Sequence, residues 1–119
     1  GREVLRVLII GEKAGYLDRA GTIVASKGNK VRFENNIDIA LLNLKNGIGA
    51  DLALVDVSQN IELFITSLEQ ERIALPVVAC GFNSDSSLAL DAIKSGAKEY
   101  IPLPPDEDMI VAILDAITV

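Results

Sequence analysis

Four stretches of the chain, Val4 to Ile10, Ala50 to Val57, Leu75 to Cys80 and Glu99 to Leu103, are near-continuous hydrophobic runs of strand length. A continuous rather than alternating run is what a strand covered on both faces requires. A fifth stretch, Lys30-Val31-Arg32-Phe33-Glu34, alternates polar with apolar and predicts an edge strand wetted on one side. Between the strands, apolar residues recur at helical spacing. Leu17, Ala20 and Val24 form one stripe stopped by Gly28, and Asn36 caps a second made of Ile37, Ala40, Leu41 and Leu44 and closed by Gly47. Ile61, Phe64, Ile65 and Leu68 make a third. A fourth opens near Ser84 or Asp85 and is expected to bury Leu88, Ala89, Ala92 and Ile93 before Gly96. The last follows Pro104-Pro105, carries Asp106, Glu107 and Asp108 in its first turn, where carboxylates suit the helix dipole, and turns Ile110, Ile113, Leu114 and Ile117 inward. This β-α alternation predicts an α/β doubly wound fold, a parallel five-stranded sheet of order 2-1-3-4-5 with helices on both faces.

Composition narrows the chemistry. The 119 residues fit one domain, with no linker-like or low-complexity stretch, and Gly1 and Val119 read as the edges of a domain cut from a longer protein. No apolar run approaches the roughly 20 residues that span a bilayer, and no secretion signal is visible, so no membrane partner and a cytoplasmic location are expected. A net charge of -6 offers no long-range attraction to a nucleic-acid backbone. With no histidine and one cysteine, Cys80, the chain has no intrachain disulfide, no imidazole catalysis and no ordinary zinc site, and an enzyme is not expected.

In doubly wound sheets, reactive groups gather beyond the carboxyl ends of the strands. Gly11 and Glu12 follow the first strand, Asp56 ends the third, Gly81 follows the fourth, and Leu103-Pro104 follow the fifth. With the segment holding Asp51 and Asp56, the Pro76-Val77-Val78 opening and Ser95-Gly96-Ala97-Lys98-Glu99-Tyr100, this set resembles the receiver domain of bacterial response regulators, a flavodoxin-like fold, across the whole chain. In a working receiver, that resemblance implies, two acids after strand one and the phospho-acceptor Asp hold Mg²⁺, a Ser or Thr after strand four binds phosphoryl oxygens, and a Lys after strand five offsets their charge. Here Asp56 keeps the acceptor position and Glu12 the second acid. Gly11 replaces the first acid, Gly81 the hydroxyl and Leu103 the Lys, while Tyr100 stands at the switch aromatic.

A phosphorylated carboxylate carries roughly -2 of charge and needs charge-assisted donors. Each missing donor is worth about 1.5 to 3 kcal/mol, against about 5.5 kcal/mol to drive a two-state element from mostly off to mostly on. Plainer roles stand beside these: Asp56 closing a turn, Glu12 as a solvated loop acid, and Tyr100 as core packing. Cys80-Gly81 suggests tight packing beneath the pocket.

The run Val77-Val78-Ala79-Cys80-Gly81, with Ala92 to Asp106, is similar within the receivers to the amino-terminal domain of FlbD-type flagellar transcription activators of alphaproteobacteria, and Gly47-Ile48-Gly49-Ala50-Asp51-Leu52 fits the same pattern. That resemblance implies a parent protein with an ATPase module working with sigma-54 RNA polymerase and a helix-turn-helix, under a small helper protein, FliX. The expected function is an atypical receiver that regulates by protein contact, through a helper or a second copy, without a cofactor. The expected contact face joins helix four, strand five and helix five, with Lys94, Lys98, Tyr100, Asp108, Val111 and Asp115 exposed. Two alternatives stand: a degraded phospho-acceptor with Mg²⁺ on Glu12 and Asp56, and a small-ligand domain using a pocket widened at Gly11, Gly81 and Leu103. No G-x-G-x-x-G loop supports nucleotide binding.

Overall fold

A computed structural model describes residues 3–82 and 86–118, with nothing stated of the Thr118 side chain. The elements are β1 (Arg6–Ile10), α1 (Gly15–Ser26), β2 (Lys30–Glu34), α2 (Ile37–Lys45), β3 (Leu52–Asp56), α3 (Ile61–Gln70), β4 (Val77–Gly81), α4 (Ser86–Lys94), β5 (Glu99–Pro102) and α5 (Glu107–Thr118). All strand pairs are parallel, in the order β2-β1-β3-β4-β5. Hydropathy located the strands, but ladder bonds set their ends. Val4 lies exposed ahead of β1 and Ala50 and Asp51 ahead of β3, while Gly81 prolongs β4 because its carbonyl accepts from Leu103 N at 2.8 Å.

The sheet separates two apolar layers. Val7, Ile9, Leu52, Leu54, Val78, Cys80 and Ile101 pack against α1 and α5. Leu8, Ile10, Ala53, Val55, Val77 and Ala79 pack against α2 and α3, with Phe64 fully enclosed. The long aliphatic runs follow from this, since apart from Arg6 and Asp56 at their ends neither face of β1, β3 or β4 meets water. β2 departs from the one-wet-face expectation. It is an edge strand, yet Val31 to Glu34 are all half-buried, because Val31 and Phe33 rest on the α1 side while Arg32 and Glu34 join a polar network on the other.

Local chemistry fixes the helices. Asn36 Oδ1 accepts from Ile39 N and Asn60 Oδ1 from Leu63 N, each at 3.0 Å, satisfying amides left open at the starts of α2 and α3. Gly28 and Gly47 follow their helices at φ 88° and 91°, which suits glycine. The fourth helix corrects an expectation: only Ala92 is buried, Ala89 is half-buried, and Leu88 and Ile93 are 37% and 44% exposed, with Leu90 at 53%. α4 lies on β4 and the edge strand β5, at the margin of the sheet. The expected start near Ser84 or Asp85 lies outside the described residues. In α5, Ile110 and Leu114 are buried, and Ile113 and Ile117 are half-buried against the same layer.

Candidate functional site

The carboxyl ends of β1, β3, β4 and β5 meet at a cavity of about 350 Å³. Glu12 and Asp56 supply its carboxylates, Ser58 a hydroxyl, and Leu17 and Leu103 its apolar wall. Tyr16 and Phe82 also line it, stacked with ring centroids 5.4 Å apart at 15°. Parallel strands bring these residues together because β3 lies between β1 and β4, so residues ending three strands share one rim.

Asp56, half-buried at the end of β3, accepts from Ser58 N at 3.2 Å and also from the Ser58 hydroxyl, while its carbonyl accepts from Gln59 N at 2.9 Å. The carboxylate therefore closes its own turn, the geometry that an Asp followed two residues later by Ser favours. Glu12 is exposed on the loop after β1, its carbonyl accepting from Ala14 N at 2.8 Å.

The two glycines are not open space. Gly11 has φ 147°, rarely taken by other residues, and a Cβ there would stand 2.8 Å from Leu17 Cδ2 and 3.0 Å from Asp56 Cβ. An acid at this position would sit on strained backbone and would have to displace the Leu17 side chain. A Cβ on Gly81 would collide with the Tyr100 hydroxyl and stand 2.9 Å from Tyr100 Cζ and 3.0 Å from Val57 Cγ2. Tyr100 thus occupies the volume that a side chain at position 81 would enter. This corrects two expectations. The pocket is not widened at Gly11 and Gly81, because Leu17 and Tyr100 fill those spaces. Tyr100 is half-buried against the α2–α3 layer rather than displayed on a contact face.

Leu103 is buried in the α1–α5 layer and lines the cavity, with a cis peptide to Pro104. Cys80, directly behind Asp56 in the β3–β4 register, has its thiol pushed up to about 12, first by burial and then by the Asp56 charge, so it stays protonated and unreactive at neutral pH. Of the expected contact residues, Lys94, Lys98 and Asp108 are exposed, while Val111 and Asp115 are half-buried. The stacked pair Tyr16–Phe82 and the Ser58 contact were not foreseen. The Asp-x-Ser spacing could have revealed the second, but no local pattern announces a stack between residues 66 positions apart.

Mg²⁺ takes octahedral oxygen ligands built around carboxylates. Among the described residues no three acidic, His or Cys side chains converge, and of the two carboxylates here Asp56 already holds Ser58. This donor set does not fit a tightly held Mg²⁺.

No family model matches the chain. Over 114 residues it is 43% identical to the transcriptional regulatory protein FlbD of Caulobacter vibrioides, an alignment covering 96% of this chain and 25% of that protein. The chain therefore spans about a quarter of the curated relative it matches. Among solved structures, a putative response regulator from Chloroflexus aurantiacus superposes with a TM-score of 0.86 at 17% identity, covering 98% of each chain. The receiver domain of NtrX from Brucella abortus gives 0.79 at 19% identity, covering 94% of this chain and 97% of that one.

Proposed function

We propose that this chain, a response-regulator receiver domain homologous to part of FlbD, is the regulatory domain of a transcription activator and works by protein contact rather than by phosphorylation. One observation carries the reading: the Tyr100 hydroxyl sits in the space of the position-81 side chain. A receiver that answers phosphate needs a hydroxyl there and an ammonium at position 103, and this chain has Gly81 and a buried Leu103. A phosphoryl group on Asp56 would meet neither donor, so its charge would have little leverage on the fold. The domain acts without a metal cofactor and without catalysis.

The contact face joins α4, β5 and α5. Lys94, Lys98 and Asp108 provide charge at its surface, Val111 and Asp115 lie half-buried on α5, and the exposed Leu90 and Ile93 of α4 add the apolar component that interfaces use. Its occupant is a regulatory helper protein of the FliX kind, in the cytoplasm. The face needs no nucleic acid, as the -6 net charge of the domain disfavours one.

Two measurements test this. Titration with beryllofluoride and Mg²⁺, followed through the amides of Asp56, Val57 and Gly81, is expected to produce no saturable shift; an ordered response there would return Asp56 to the role of phospho-acceptor. Val111→Ala with Asp115→Ala is expected to weaken helper binding. Unchanged binding would remove this face, and an unchanged helper complex accompanied by loss of self-association would assign it to a second copy.

A further inference from the structure

The cavity at the carboxyl edge of the sheet holds two carboxylates and no cation of its own. Glu12 and Asp56 line it, and no lysine or arginine does. Neither carboxylate has an ion pair among the described residues. Asp56 Oδ2 takes both contacts from Ser58, which leaves Oδ1 without a hydrogen bond among the described residues. The basic side chains that follow β1 turn to rings instead of to these acids. Lys13 Nζ stands 5.2 Å from the centre of the Phe33 ring, and Arg19 Cζ 5.2 Å from that of Tyr16.

Solvent reaches each of these groups. Glu12 and Ser58 are exposed and Asp56 is half-buried. The accessible apolar wall of the cavity is Phe82, which at 68% is the most exposed large apolar side chain among the described residues. Its ring is held in place by the stack on Tyr16, and no cation stands over it among the described residues. An open aromatic ring beside two carboxylates without counterions matches a cation carried on an apolar stem. The type of cation follows from Asp56. With one carboxylate oxygen already held by Ser58, the two-pronged fork of a guanidinium meets half its match, whereas an ammonium is a point charge satisfied by single acceptors. The domain's net charge of -6 adds a general attraction for cations.

We propose that this cavity binds a primary alkylammonium group, its charge held by Glu12 and Asp56 and its aliphatic stem lying along the Phe82 ring. A lysine side chain of a partner protein and a free diamine share that chemistry. The cavity has no residue in common with the contact face on α4, β5 and α5, so Val111→Ala with Asp115→Ala tests that face without touching this site, and the two readings stand or fall separately.

The test titrates the protein with butylamine, 1-pentanol and Mg²⁺ at neutral pH and constant ionic strength, following backbone amides. Butylamine is expected to give saturable shifts at Glu12, Ser58 and Phe82, with Lys30 and Val111 unmoved. Asp56→Asn should weaken it by about tenfold, as loss of a charged partner implies. Glu12→Gln and Phe82→Ala should each weaken it by about threefold, the scale of an exposed ion pair and of an exposed cation–π contact. Glu12 and Phe82 are exposed, so their variants remain informative if Asp56→Asn fails to fold. Nα-acetyl-lysine methylamide and putrescine separate the two sources, the tighter of them marking a partner's lysine or a free diamine. Shifts that never saturate, or that survive Glu12→Gln and Phe82→Ala unchanged, would overturn the proposal. So would 1-pentanol binding as tightly as butylamine, which would leave an apolar pocket, or Mg²⁺ doing so, which would leave a general cation site.

Discussion

Gly81 and Tyr100 share one volume, so adding a side chain at one position must displace the other. Gly81→Thr is expected to drive Tyr100 outward or to cost about 1–3 kcal/mol of overpacking. The chain has no tryptophan and only two tyrosines, so ultraviolet titration of Tyr100 against a Tyr16→Phe background reads the outcome directly. Cys80 gives a second prediction with a definite sign. The folded state holds the thiol proton to about 12, whereas an ordinary thiol releases it near 9.0, so the folded chain keeps a proton that the unfolded chain loses, and stability falls as pH rises through that window. Cys80→Ala should flatten that alkaline loss in urea melts between these values. Asp51 runs the other way. Hydrogen bonds from Arg6 hold its carboxyl below the usual 3.8, so the stability it lends is complete above that value and disappears as pH falls through the lowered one. Asp51→Asn and the parent should differ in melting temperature at neutral pH and converge in strong acid.

Among the elements, α3 and α4 contrast in their commitment to the core. α3 buries Ile61, Phe64 and Leu68, and Phe64→Ala should cost about 3–5 kcal/mol in chemical denaturation. α4 buries Ala92 alone, so Leu90→Ser should change stability by no more than about 0.5 kcal/mol while weakening helper binding, measured by calorimetry. This difference was only half legible in the sequence. Periodicity shows that a helix is amphipathic but not how much surface its partners offer, and α4 rests mainly on β4 and β5. β1, β3 and β4 were readable because burial on both faces leaves their interiors apolar, with polar residues such as Arg6 and Asp56 only at the ends. Their ends were not, because Asp51 donates its amide to Arg6 O without continuing the strand and Gly81 pairs with Leu103 whatever its hydropathy.

For the whole molecule, sheet order and the meeting of Glu12, Asp56 and Leu103 at one rim followed from β-α alternation, since parallel strands must end on the same side. What fills the rim did not follow, because contacts such as Tyr100 with Gly81 or Tyr16 with Phe82 join residues from different strands and loops. The acidic domain by itself should show no salt-dependent retention of duplex DNA in a mobility-shift assay; a basic slope would contradict a regulatory role confined to protein contact. Leu17 stands where a Cβ on Gly11 would go and Tyr100 where one on Gly81 would go, so an acid at position 11 or a hydroxyl side chain at position 81, introduced alone, would strike an occupied seat. Building a phosphate-answering site into this fold therefore takes paired replacements, each new side chain arriving together with a smaller neighbour.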